Sequence, residues 1–290
     1  MRWLRTRDLS SRERRTSQPL ALVYRGRRPV ELATGSASPA VSNPAAGTTV
    51  HTFTAPAVRD VGVTVGRLQT LQREVAGVRI HLGGPSAGSR VPLQTWAHRA
   101  EQSLRRLTAL LGPVPFTDLW ISVLPGVTNG VELPGAIQFG DLSDPEGLVS
   151  HELAHMWFYG LVGNNQARNP WLDEAFASYA QRIVDGQDSS EWDEHIPHDL
   201  AGKVGRPMSY WVRKDLGSQA YGQGVYLAGG SALLEARRRG GERGFDEAVR
   251  AYLRDNANRI AVPADVRTAL RRLPDAVQVL VDAGALPGVP

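Results

Sequence analysis

Along this chain the spacing of apolar positions switches from a strand period to a helical one. Short alternating runs occupy 50–54, 61–65 and 78–82. In the last, Val78, Ile80 and Leu82 fall on one side and Arg79 and His81 on the other, the period of a half-buried strand. From 92 to 111 the period is helical. Trp96, Ala100, Leu104, Leu107 and Leu111 line one face, and Gly112-Pro113 stops the helix. Apolar β-runs follow at 119–124, closed by Pro125-Gly126, and at 136–139, entered through Pro134-Gly135. Residues 148–161 predict a buried helix, and Asn164-Asn165 and Asn169-Pro170 break the chain after it. A second helix is expected over 172–184, then a polar, irregular stretch over 187–216. Four helices close the chain, at 222–238, 244–256, 263–272 and 274–283, and there is no internal repeat.

Composition refines the ends of this picture. The chain has 290 residues, 42% hydrophobic and 21% charged, which suits one large or two small domains around a substantial core. It has no cysteine, which excludes disulfides and thiolate metal sites. Residues 1–28 hold nine arginines against Asp8 and Glu13, an excess of seven positive charges that leaves −3 for the rest of a chain whose total is +4. The basicity therefore belongs to an arm, and nucleic acid is not the expected partner of the body. That arm and the Ala/Gly/Ser/Thr/Pro-rich 33–49 predict a poorly ordered extension and linker over 1–49. No run approaches a transmembrane length, and no apolar stretch follows the basic start as a signal peptide requires. The default expectation is a cytoplasmic location, with oligomeric state unspecified.

The buried helix at 148–161 carries His151-Glu152-Leu153-Ala154-His155. Histidines four apart on a helix project from one face, and two imidazoles so placed suit one Zn²⁺. Glu152 between them points to a neighbouring part of the surface, where it reaches a water at the metal without ligating the metal itself. A buried helix with two hydrogen-bonded histidines would show the same five letters. A zinc site needs a further protein ligand and an open position for water. Glu174 fits: eighteen residues separate it from His155, enough for one helix to end and another to return. Trp171, Leu172, Ala175, Phe176 and Tyr179 around it indicate a largely buried helix, and a buried carboxylate needs a partner such as a metal.

With Trp171-Leu172-Asp173-Glu174-Ala175-Phe176-Ala177 in place, the chain resembles the gluzincin metallopeptidases, and among them the M1 aminopeptidase family. Met156-Trp157-Phe158 stands where that family has x-W-F. Asn129-Gly130-Val131-Glu132-Leu133-Pro134-Gly135 resembles its G-x-M-E-N segment, and Tyr221-Gly222-Gln223-Gly224 its Y-x-K-G segment. The likeness extends over about 55–260, with its most specific blocks in 129–180. It implies one zinc per chain held by His151, His155 and Glu174, with Glu152 as general base and Tyr221 as donor to the oxyanion. It implies that Glu132, with Gly130 in the same segment, binds the α-amino group of peptide substrates with a free N-terminus. The segments depart from the family at Val131, Leu133 and Asp173; the last adds a carboxylate that either supports the metal ligands from behind or caps its helix.

The fold implied is α+β: a thermolysin-like catalytic domain over 91–290, with a small mixed sheet on helices and a mostly helical C-terminal part. Residues 50–90 are expected to be a short β-rich remnant of an N-terminal domain. The activity implied is that of a zinc metallopeptidase, an aminopeptidase above all. A non-catalytic binding protein of the same fold, and a zinc endopeptidase or other zinc hydrolase, are the alternatives.

Overall fold

A computed structural model describes residues 18–26, 30–85, 88–188 and 196–288. The chain divides into two compact units, Ser17–Gly160 and the part from Leu161 onward. The division falls at Gly160, well beyond residue 90.

The first unit begins with β1 (Gln18–Gly26), β2 (Val30–Ala33), β3 (Ser36–Ala37), β4 (Val41–Asn43) and β5 (Thr48–Val58). β5 is the longest strand, and β1, β3 and β4 all pair with it antiparallel. A poorly ordered arm was the expectation for this region. The flanking arginines dominated its composition, but residues 20–24 are apolar and strand-prone, and β5 satisfies their backbone groups. Residues 1–17, most of the Arg-rich arm, lie outside the described residues. β6 (Val63–Val65) pairs with β2.

A five-stranded mixed sheet follows, built from β7 (Gln69–Val75), β8 (Val78–Gly84), β9 (Asp118–Leu124), β10 (Gly130–Leu133) and β11 (Ala136–Gly140), in the order β10-β11-β9-β8-β7. β7 and β8 form a hairpin through Ala76-Gly77, whose φ values of 52° and 78° give the left-handed turn that matches strand twist. β8 and β9 are parallel, so their connection must cross over; the helix α1 (Leu93–Leu111) does this. Its buried face contains all five residues of the expected stripe, with Leu93 and Ala97 beside them. β11 joins β9 in parallel, and β10 is an antiparallel edge strand. Ile80, Leu82, Leu119, Ile121, Ile137 and Phe139 are buried in this sheet, and each fully buried side chain of this size contributes roughly 1.5–3 kcal/mol. α2 (Glu146–Ala154) packs on α1, where Ser103 and Ser150 hydroxyls meet at 2.8 Å in the interior.

The second unit is helical, as expected. Among the described residues it contains α3 (Trp171–Val184), α4 (Met208–Trp211), α5 (Ala228–Gly240), α6 (Glu242–Asp255), α7 (Pro263–Ala269) and α8 (Pro274–Asp282), with one two-stranded parallel pair, β12 (Gly163–Asn164) and β13 (Ile260–Ala261). α5 is central, packing on α3, α6 and α8. Its crossing with α3 is close because the contacts are small: a Cβ at Gly229 would stand 2.6 Å from the Ala175 Cβ, inside contact distance. That pins the α3 backbone one residue from Glu174.

Candidate metal centre

α2 is shorter than its apolar pattern suggests. The helix ends at Ala154 instead of running to 161. The Met156 and Trp157 amides donate to Leu153 and Ala154, three residues back, and Gly160 donates to His155 at 2.8 Å. Tyr159 takes φ 127°, which no helix accommodates. Met156, Trp157 and Phe158 remain fully buried, so a compact turn imitates the burial signature of a helix.

The turn has a consequence for His155. Its Nδ1 lies 3.1 Å from the Phe158 carbonyl, and a carbonyl only accepts, so Nδ1 carries the proton and Nε2 presents a lone pair. That Nε2 stands 3.2 Å from Nε2 of His151. Two nitrogens at zinc-ligand distance, set at the tetrahedral angle around one ion, are about 3.3 Å apart. The histidine pair is therefore arranged as a chelate. One ligand atom each from His151, His155 and Glu174 lies within 4.8 Å of the others. Two imidazoles and a carboxylate form a donor set that suits zinc and leaves a coordination position open.

Glu152 is buried, with 6% of its surface exposed. It lies against Gly130 on the edge strand β10: a Cβ there would sit 2.3–2.4 Å from the Glu152 side chain. Gly130 thus makes room for this carboxylate. Glu132, two residues along the same strand and half-buried, pairs in register with Ile137. Its charge reaches Tyr159, whose phenol is pushed up by burial and by a hydrogen bond to Asp60. The Arg59 guanidinium sits 4.3 Å over the Tyr159 ring and opposes that shift. A residue at φ 127° costs of order 1–3 kcal/mol, and Asp60 and Arg59 hold it there. Neither stood out in the sequence, because Asp60 lies 99 residues from Tyr159 along the chain and Arg59 is its neighbour.

In the second unit, α3 starts at Trp171 with Pro170 before it, so Asp173 and Glu174 occupy its first turn, where the helix dipole favours acids. Asp173 does not cap the helix. It is buried and accepts from Gln166 Nε2 at 2.9 Å. Tyr221 precedes a π-helical turn, Gly222–Leu227, in place of the α-helix expected from 222. Its ring meets that of Tyr226 edge-on, centroids 5.4 Å apart. Tyr226, unremarked in the sequence, hydrogen-bonds Glu174; burial first, then that carboxylate, push its phenol up, so it stays protonated.

Residues 138–283 match the Peptidase family M1 domain. Aminopeptidase N of Haemonchus contortus is 30% identical over 119 residues, 37% of this chain and 12% of its own length. The tricorn protease-interacting factor F2 of Thermoplasma acidophilum is 28% identical over 133 residues, 42% of this chain and 17% of its own. The chain thus spans less than a fifth of these relatives. A crystal structure of an M1 zinc metallopeptidase from Deinococcus radiodurans superimposes with a TM-score of 0.76 at 22% identity, covering 98% of this chain and 68% of that one. The fold is shared along nearly the whole chain.

Proposed function

The chain belongs to peptidase family M1, and on that premise we propose that it is a zinc-dependent aminopeptidase. The observation that carries this reading is the convergence of His151, His155 and Glu174, with Glu152 beside the histidines. His151, His155 and Glu174 would hold the zinc. When bound there, the ion supplies a Lewis acid that polarises the scissile carbonyl and acidifies water. Glu152 takes the proton from the attacking water and passes it to the departing amine. Burial and the close backbone at Gly130 restrict its carboxylate to few orientations, which favours that transfer. The Tyr221 hydroxyl donates to the oxygen that becomes negative as the carbonyl carbon turns tetrahedral. Glu132 supplies a fixed anion on the edge strand for a substrate ammonium, which selects peptides with a free N-terminus.

Purified protein is expected to bind one equivalent of zinc. Glu152→Gln keeps that zinc and lowers kcat about 10²–10⁴-fold, whereas Glu174→Ala weakens zinc binding itself. Both are read by metal analysis after dialysis, alongside hydrolysis of an aminoacyl-coumarin. Persistent hydrolysis by a zinc-loaded Glu152→Gln protein removes Glu152 as the base.

A further inference from the structure

In an α-helix each residue advances about 100°, so side chains five apart diverge by about 140°. The turn over Gly222–Leu227 is π-helical, and its i→i+5 bonding returns the fifth residue toward the side of the first. Tyr221 and Tyr226 are five apart and share a side, their rings perpendicular at 88°. The wide turn is seated on Trp211: a Cβ at Gly224 would stand 2.2 Å from its indole ring, and the indole Nε1 is itself fixed by the Arg206 carbonyl at 2.9 Å. The wide turn packs on α3, the helix that carries Glu174, and there the Tyr226 hydroxyl hydrogen-bonds that carboxylate, with the Tyr221 ring beside its own.

We propose that Tyr226 is a positioning residue of the metal site, holding one oxygen of the Glu174 carboxylate so that the other alone meets zinc. The inference rests on the reading of His151, His155 and Glu174 as a zinc site. A carboxylate with both oxygens free can close on an ion through both and occupy the position that water needs. A hydroxyl bound to one oxygen prevents this and fixes the orientation of the other, the part that outer hydrogen bonds play around metal ligands. The two tyrosines thereby divide their tasks, Tyr221 facing the reaction and Tyr226 the ligand.

The test compares Tyr226→Phe and Tyr221→Phe with the parent chain, using zinc affinity from competition with a chelating dye and the visible spectrum of the cobalt(II)-substituted proteins. Phenylalanine keeps the ring packing, and thermal melts verify folding. Tyr226→Phe is expected to weaken zinc binding about 10–100-fold and to reduce the cobalt bands as coordination number rises. Tyr221→Phe is expected to leave both unchanged. Parental affinity in Tyr226→Phe overturns the inference, as does weakened affinity with an unaltered cobalt spectrum, which marks a merely structural contact. A parent chain that binds no zinc overturns this inference together with the functional reading beneath it.

Discussion

Glu152 works in a space that Gly130 leaves open. Any side chain at 130 enters the volume of the Glu152 carboxylate, because even a Cβ would approach to 2.3–2.4 Å. Gly130→Ala is therefore expected to displace Glu152, the proposed general base, without changing His151, His155 or Glu174. Its kcat should fall at least about tenfold, since small misplacements of a reacting group are costly, while zinc content stays at one per chain. Steady-state kinetics with metal analysis read both; unchanged kcat refutes this placement. The histidine pair and Glu152 were legible in the sequence because one helical turn brings them together, and sequence spacing then equals spatial spacing. Tyr226 was not legible. Its place beside Glu174 depends on a π-helical turn, and residues five apart carry no such signal under an α-helical period. Asp60 and Tyr159 are likewise joined by folding across 99 residues.

At the scale of elements, β8 and β9 are tied at their starts by Asp118. Its buried carboxylate accepts two bonds from Arg79, at 2.9 and 2.8 Å, and others from His81 at 2.9 Å and Ser36 at 2.6 Å. His81 in turn stacks on Trp120 at 3.8 Å. Burial alone would raise the carboxyl pKa, but the bonds from Arg79, Ser36 and His81 outweigh it and hold it far below the usual carboxylate range. A group with a depressed folded pKa stabilises above its unfolded pKa, near 4 for Asp, and that stability is lost as pH falls toward the folded value. Asp118→Asn is thus expected to cost about 2–3 kcal/mol at pH 7, with a gap to the parent chain that narrows below pH 4. Urea melts at pH 7 and pH 3 measure this; a gap independent of pH contradicts it. The strands β5, β8, β9 and β11 and the helices α1, α3 and α5–α8 follow from their hydrophobic periods. β1 was obscured by neighbouring arginines, and α2 was overextended because the turn after it is as buried as a helix.

For the molecule as a whole, the basic excess is separated along the sequence from the candidate site residues. Residues 1–28 hold the basic excess, and the remainder is net negative at −3. A body of that sign suits a substrate that arrives as an ammonium better than a polyanion. None of the helices among the described residues is long and apolar enough to cross a membrane. The solved M1 structure shares its fold with nearly the whole chain, at 22% identity, and the chain covers 68% of it. Sequence motifs revealed this fold because the family's blocks lie in 129–180, where spacing constrains topology; the strands before residue 50 carried no motif and emerged only from pairing. The proposed function joins a zinc centre held by His151, His155 and Glu174 to Glu132, the anion proposed to read a free amino terminus. The most direct measurement is the zinc-loaded protein's kcat/KM on a peptide and on its N-acetylated counterpart. Rapid release of the first residue from the free peptide is expected, with loss of that activity on chelation and at least about a 10²-fold lower value for the blocked peptide, which lacks the ammonium that Glu132 would attract. Equal cleavage of both peptides would contradict it.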